Sequence, residues 1–199
     1  MPFPDRLVIA SRNDHKVTEI RRICAEWPVE WLTHRDLSWE DADETGSTYL
    51  ENALLKARLV ARATGESALA DDSGIEVDAL GGAPGARSAR YAGPSATDQE
   101  NLRALLGAVA GVPAGGRTTR YRAVAAVALP GGLEVWEEGS CEGTIRTKPR
   151  GTGGFGYDPV FEPAGWDVTM AELAPEEKDR ISHRGRALRA LARRLAEPG

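Results

Sequence analysis

The chain has 199 residues, 41% apolar and 28% charged, an ordinary balance for a folded protein and long enough to bury a real core. The 30 acidic and 25 basic residues leave a net charge of −5. That argues against a dedicated duplex nucleic-acid binder, which carries a basic face, but leaves room for a local cationic cluster around a small phosphorylated ligand. No apolar run approaches membrane-spanning length, and Met1-Pro2-Phe3-Pro4-Asp5 lacks the apolar core of a signal peptide. The expectation is one cytoplasmic domain spanning residues 1–199, with room for two lobes. Cys24 and Cys141 show no CxxC and no Cys/His spacing suited to zinc, so two reduced buried thiols are expected, with a disulfide left open.

Leu7-Val8-Ile9-Ala10 has the character of a buried strand. Ser11-Arg12-Asn13-Asp14-His15-Lys16 follows, then a helical pattern with Val17, Ile20, Ile23 and Cys24 on one face. A strand, a polar turn and a helix start aim backbone N–H groups and a positive dipole end at whatever occupies the turn. Lys16 places a cation in the first helical turn, where an acid is usual, which makes sense if an anion binds there. A simple capped helix with a solvated lysine is the plainer alternative.

Val29 to Leu32 alternates like a short strand, and residues 35–46 form an acidic turn region containing Glu40, Asp41, Asp43 and Glu44. Thr48 and Glu51 have capping-box spacing. The helix behind them is expected to bury Leu50, Ala53, Leu54, Ala57 and Val60, to end at Gly65, and to leave Lys56 and Arg58 off the stripe.

Leu69-Ala70-Asp71-Asp72-Ser73-Gly74-Ile75 carries the most chemical promise. Adjacent carboxylates at the end of a strand, beside a flexible turn, suit a hard cation that takes oxygen ligands; an ordinary strand-turn-strand corner is the competing reading. A half-buried strand is expected over 75–80, followed by the Gly81-Gly82-Ala83-Pro84-Gly85 turn and a long loop over 81–97 with Arg87, Arg90 and Tyr91. The helix from about Asp98 presents Leu102, Leu105, Leu106 and Val109 inward. Tyr121 to Leu129, Pro130-Gly131-Gly132 and Leu133 onward read as a hairpin. A second glycine-rich loop, Arg150 to Pro159, has aromatics within it. Glu176-Glu177-Lys178 and Ser182-His183-Arg184 precede a terminal helix with Leu188, Leu191, Ala192 and Leu195 on its inner face.

In order and spacing these segments resemble the inosine triphosphate pyrophosphatase family over almost the whole chain. The pieces are Ser11 to Lys16, Glu44-Thr45-Gly46, Glu51-Asn52-Ala53, Ala70 to Gly74, Gly81 to Gly85, Ser88-Ala89-Arg90-Tyr91, Gly154 to Pro159 and Ser182 to Arg184. One departure is Arg12, which stands where the family usually has glycine; it would add a cation to the first loop. The resemblance implies a three-layer α/β/α fold with an elongated mixed β-sheet, a cleft between two lobes, and a homodimer. It also implies Mg²⁺-dependent cleavage of non-standard purine nucleoside triphosphates (ITP, dITP, XTP) to the monophosphate and pyrophosphate.

On that basis Asp72 is expected to be the general base and a metal ligand, with Glu44 as the second carboxylate on Mg²⁺. Lys16 and the turn amides of Ser11, Arg12, Asn13, Asp14 and His15 would hold the triphosphate, with Lys56 and Ser73 as lesser candidates. Phe155 would stack on the purine within the Gly156-Tyr157 loop, and Asp158, Lys178, His183 and Arg184 would contact the base. Donors near the purine 6-position would favour a carbonyl there over an amino group. Two competing readings are a related pyrophosphatase preferring pyrimidine or modified bases and a nucleotide-binding module without turnover. No membrane or stable nucleic-acid partner is expected.

Overall fold

The computed structural model describes residues 3–40, 42 and 45–197. In chain order the elements are β1 (Arg6–Ile9), α1 (Asp14–Ile23), β2 (Glu30–Leu32), α2 (Tyr49–Thr64), β3 (Ser67–Val77) and α3 (Asp98–Ala108). They continue with β4 (Thr118–Ala128), β5 (Glu134–Ile145), β6 (Phe161–Pro163), α4 (Pro175–Ile181) and α5 (His183–Ala196). The six strands form one mixed sheet in the order β2-β1-β3-β4-β5-β6. β1 runs parallel to both β2 and β3, whereas β6 is antiparallel to β5.

Two compact units partition the chain. One comprises Met1–Asp72, Ala123–Gly139 and Arg184–Gly199; the other comprises Ser73–Arg122 and Ser140–His183. β3, β4 and β5 each contribute residues to both units.

The first unit is three-layered because its strands alternate. Leu7, Ile9 and Leu69 project to one side and pack with Val17 and Ile20 of α1 and with Leu188, Leu191 and Leu195 of α5. Val8, Ala10, Ala68 and Ala70 project to the other, against Ala57, Val60 and Ala61 of α2. Each fully buried leucine or isoleucine contributes about 1.5–3 kcal/mol. The α2 side is alanine-rich in helix and strand alike, so little side-chain bulk separates them. In the second unit Ile75, Val77, Leu105, Val109, Tyr121, Ile145, Val160 and Phe161 form a separate core. Cys24 and Cys141 are both buried and are not joined in a disulfide, as expected.

Three local expectations need correction. β3 does not end at its acidic pair: it runs unbroken through Asp71-Asp72-Ser73-Gly74 to Val77, because each carboxylate finds buried partners and the strand need not turn out to water. The strand expected over 75–80 stops at Val77 and passes into a 3₁₀ turn at Asp78–Leu80, and the loop expected over 81–97 contains a second one at Gly85–Arg90. On α2, Ala53, Ala57 and Val60 are buried as expected, but Leu50 and Leu54 are only half-buried, and Asn52 is completely enclosed. The helix is rotated so that its polar pair Asn52 and Lys56 meets β3.

The predicted cap at Thr48 forms, and a second box that the sequence reading did not name caps α3. Thr48 accepts the Glu51 N–H while Glu51 reaches back to the Thr48 N–H, and Thr97 and Glu100 do the same for α3. Thr48→Ala removes one half of the first box, and the expected result is a loss of about 1 kcal/mol. This would be read as a lower urea midpoint at unchanged slope.

Candidate active site

Successive side chains on a strand point to opposite faces, so Asp71 follows Leu69 toward α1 and α5 while Asp72 follows Ala70 toward α2. Both carboxylates are buried. Dehydrating an ionised carboxylate costs several kcal/mol unless charge and hydrogen bonds are returned to it, and each face of β3 returns them.

On the first face Arg184, near the start of α5, donates from Nε and Nη2 to Asp71 Oδ2 at 3.0 and 2.9 Å, and from Nη1 to Glu19 of α1. Lys16, one turn before Glu19, places Nζ 3.2 Å from Asp71 Oδ1. Burial alone would raise the Asp71 pKa, but the charges of Arg184, Lys16 and Lys56 prevail and hold it well below the usual carboxylate range. Burial would likewise lower the Arg184 pKa; Asp71 and Glu19 outweigh it and push the guanidinium up. Lys16 goes the other way. Its burial, with repulsion from Lys56 and Arg184, lowers the ammonium pKa despite the attraction of Asp71.

On the second face α2 supplies residues four apart. Lys56 Nζ lies 2.8 Å from Asp72 Oδ1, and Asn52 Nδ2 donates to Asp72 Oδ2 at 3.3 Å. Asn52 Oδ1 accepts the Gly46 N–H at 2.9 Å. Lys56, which the sequence offered as a lesser candidate for the triphosphate, thus sits on the acid itself.

The first loop caps α1. Asn13 Oδ1 accepts the N–H groups of His15 and Lys16 at 3.0 and 3.2 Å, and Ser11 Oγ accepts that of Asn13 at 3.2 Å. The Ser11 N–H bonds the Ile9 carbonyl at 2.8 Å. Of the amides expected to cradle phosphate, those of Ser11, Asn13 and His15 are therefore already engaged within the loop. Asp14 pairs with Arg35 at 3.0 Å. Arg12 donates to the Trp39 carbonyl, so its extra cation is tied to the segment that precedes Glu44. Glu44 itself lies outside the described residues.

In the second unit Asp158 is the hub. Lys178 Nζ is 2.6 Å from Asp158 Oδ2, which also accepts the Phe155 N–H at 2.9 Å; Tyr121 donates to Oδ1 at 3.2 Å. The Lys178 ammonium lies 5.2 Å from the Phe155 ring centroid, within cation–π range. His183 stacks on Tyr121 at 4.5 Å and 12°. Gly154 has φ +68°, and a Cβ there would come 2.1 Å from Asp158 Oδ2, so only glycine fits. The loop is anchored outside as well: Gly156 N–H donates to Asp98 at 2.9 Å, and Tyr157 Oη donates to the Ser88 carbonyl at 2.7 Å. Burial, with Tyr91 and Asp98 adding negative potential, raises the Tyr157 pKa, so this hydroxyl remains a donor.

Sequence reasoning thus grouped Phe155, Gly156, Tyr157, Asp158, Lys178 and His183 as the structure does, all in the second unit. Arg184, expected beside them, lies in the first unit on Asp71 and Glu19. Ser73 follows Asp72 on β3, half-buried. The residues missed are Glu19, Asn52, Tyr121 and Asp98, and Asp71 had been noticed without a partner. A readable signal existed for two: Glu19 is one turn from Lys16, and Asn52 is one turn from Lys56.

Among the described residues no group of three or more His, Cys, Asp or Glu side chains could hold a metal ion. Asp71 Oδ1 is a buried carboxylate oxygen that accepts no hydrogen bond, on the face of β3 that Lys16 and Arg184 occupy, whereas the Asp72 carboxylate lies on the opposite face with Lys56 and Asn52. Carboxylate oxygens are the donor type that a hard divalent cation takes, with water and substrate oxygens completing the shell. Asp72 offers oxygens of that type and fits such an ion; Asp71, on the opposite face of the strand, does not share it. Asp71→Asn leaves three enclosed cations facing less negative charge; a loss of about 3–5 kcal/mol in unfolding free energy is expected from chemical denaturation.

The Ham1 family matches residues 7–194. The dITP/XTP pyrophosphatase of Streptomyces coelicolor is 51% identical over 193 residues, covering 94% of each chain. Its namesake from Shigella flexneri is 46% identical over 193 residues, covering 94% of this chain and 95% of that one. The HAM1 protein from Coxiella burnetii has the same fold at a TM-score of 0.87 and 40% identity, over 97% of this chain and 99% of that one. The nucleoside-triphosphatase / dITP/XTP pyrophosphatase from Mycobacterium abscessus gives 0.75 and 42%, over 96% and 100%. These likenesses bear out the resemblance and the mixed α/β architecture read from the sequence, and the extent of the match settles the family: the chain belongs to the Ham1 family.

Proposed function

We propose that the protein is a Mg²⁺-dependent nucleoside-triphosphate pyrophosphatase that removes ITP, dITP and XTP from the nucleotide pool. The observation that carries this reading is the enclosed pair Asp71 and Asp72, met on opposite faces of β3 by Lys16 with Arg184 and by Lys56 with Asn52. Relatives about half identical to this chain are dITP/XTP pyrophosphatases, which supports the substrate class.

In the reaction, water attacks the α-phosphorus, the bond to the bridging α–β oxygen breaks, and pyrophosphate leaves. Asp72 takes the proton of the attacking water. Lys56 on Oδ1 and Asn52 on Oδ2 fix the plane of its carboxylate, so that it need not reorient as the water approaches. Lys16 compensates the charge that accumulates on the polyphosphate. Bound Mg²⁺, with Asp72 and Glu44 as carboxylate ligands, would supply further charge neutralisation at the phosphoryl oxygens.

Purine recognition falls to the second unit. Phe155 offers a stacking face, and Lys178 and His183 offer donors for a carbonyl at the purine 6-position. Asp158 acts chiefly by orienting them, because both its oxygens are engaged by Tyr121, Lys178 and the Phe155 N–H. An amino group at that position would leave the enclosed donors unmatched, and such mismatches discriminate strongly.

We also take the enzyme to work as a homodimer in the cytoplasm. Leu50, Leu54, Leu55 and Leu59 line a groove of about 1060 Å³ on α2. Leu133 and Trp136 are 55% and 42% exposed nearby in sequence to Glu134, whose carboxylate pairs with Arg58 of the same groove. An apolar surface of that kind suits a second copy.

Pyrophosphate release from ITP, dITP, XTP, ATP and GTP, with Mg²⁺ and with chelator, tests the reading. Rapid Mg²⁺-dependent release from ITP, dITP and XTP and slow release from ATP is expected. A pyrimidine preference, or tight binding without release, would replace it with one of the two competing readings. Asp72→Asn should lower kcat at least about 100-fold with a small change in KM. Lys16→Ala should lose activity to a degree that added salt on the native enzyme does not reproduce; equal rates would remove Lys16 from the site.

A further inference from the structure

Asn52 stands between two groups that make opposite demands on it. On one side the Gly46 N–H requires an acceptor, and on the other the Asp72 carboxylate requires a donor. Only a side-chain amide of this length satisfies both, and the two contacts fix which end is oxygen and which is nitrogen. Asn52 is wholly enclosed, so water cannot substitute for either partner. Its place at the start of α2 is set by the Thr48–Glu51 capping box immediately before it.

Gly46 completes the arrangement. Its φ is not positive, so backbone conformation does not demand glycine there. Space does: a Cβ would lie 2.6 Å from Asn52 Oδ1 and 2.7 Å from the Glu51 Cβ. The chain thus gives up a side chain at 46 to let the backbone close onto the amide at 52.

We propose that Asn52, seated by Gly46, is a positioning residue for the reaction: it aims the Asp72 carboxylate at the attacking water while Lys56 holds the other oxygen. This rests on the pyrophosphatase reading above. Asn52 is fully enclosed between Gly46 and Asp72, so its replacement is expected to act through Asp72. Turnover should suffer and substrate affinity should not.

The test uses the full-length protein, with pyrophosphate release from ITP and, independently, the Kd of its non-hydrolysable α,β-methylene analogue. Asn52→Asp keeps the acceptor for Gly46 and removes the donor to Asp72. A fall in kcat of about 100-fold is expected, with KM and the analogue Kd within about threefold of native. Gly46→Ala alters neither carboxylate nor amide chemically, yet should reproduce the pattern by pushing the amide aside, with kcat down about tenfold or more. Because both act on one contact, Gly46→Ala should cost much less in the Asn52→Asp background than alone. Should Asn52→Asp fail to fold, the Gly46→Ala result decides the matter by itself. Native-like kcat in a folded variant, or a kcat loss matched by loss of analogue binding, overturns the inference, as do fully multiplicative effects in the double variant. A native chain that releases no pyrophosphate refutes the activity and the positioning role together, whereas an active native chain with unaffected variants refutes only the latter.

Discussion

The alternation of side chains along β3 is the constraint on which the rest of the first unit depends. Two consecutive acids on a buried strand cannot share a partner, because the pleat sends them to opposite faces. Each face then has to supply its own cation and its own hydrogen-bond donors, or the strand would open toward solvent. α1 and α5 meet this demand for Asp71 with Lys16 and Arg184, and α2 meets it for Asp72 with Lys56 and Asn52. The three-layer arrangement is thereby tied to the chemistry: without a helix on both sides, the acidic pair could not be both enclosed and ionised.

A parallel logic governs the second unit, where a single acid serves several partners. Asp158 collects a lysine, a phenol and a backbone amide, and through them sets the positions of Lys178, Tyr121 and Phe155. Gly154 makes room for this convergence, and two bonds that the loop donates, to the Asp98 carboxylate and the Ser88 carbonyl, hold it to neighbouring segments of the same unit. The polar groups proposed to meet the purine are therefore mutually braced before any ligand arrives. Preorganisation of this kind lowers the ordering cost of binding and sharpens discrimination between bases.

Local signals in the sequence were reliable where the physics is local. The capping box at Thr48, the hairpin around Pro130-Gly131-Gly132 and the apolar faces of α1 and α5 all follow from neighbours a few residues apart. The acidic pair was equally visible as a point of interest. Its setting was not, since Asn52 and Asp72 are separated by 20 residues and Arg184 and Asp71 by 113. An Asp-Asp-Ser-Gly run has turn propensity, and only tertiary packing of three helices converts it to strand interior. The same holds for Arg184. By chain position it belongs with His183, but the start of α5 turns it into the other unit, onto Asp71 and Glu19. Periodicity misplaced the inner face of α2 for a related reason: Leu50 and Leu54 are more apolar than Asn52, yet the partner on the strand is a carboxylate.

Buried ion clusters are an inefficient way to stabilise a protein, because well-packed apolar residues of similar volume often do as well or better. Lys16, Lys56 and Arg184 against Asp71, Asp72 and Glu19 therefore point to a purpose other than stability. The cluster carries as many positive as negative side chains, so it is close to neutral before a ligand arrives. In the proposed reaction a triphosphate would bring several negative charges into it, and Lys16 is already committed in part to Asp71. Two routes restore the balance: a divalent cation arriving with the polyphosphate, or release of a lysine from its carboxylate. Dehydration and the neighbouring cations strain that site and hold the Lys16 ammonium below its ordinary pKa. An anion drawn close to its ammonium would relieve part of this strain, and in the proposed reaction the relief is greatest where negative charge grows, on the departing pyrophosphate. A site held neutral by internal pairs can in this way bind a polyanion without closing on it so tightly that the products stay.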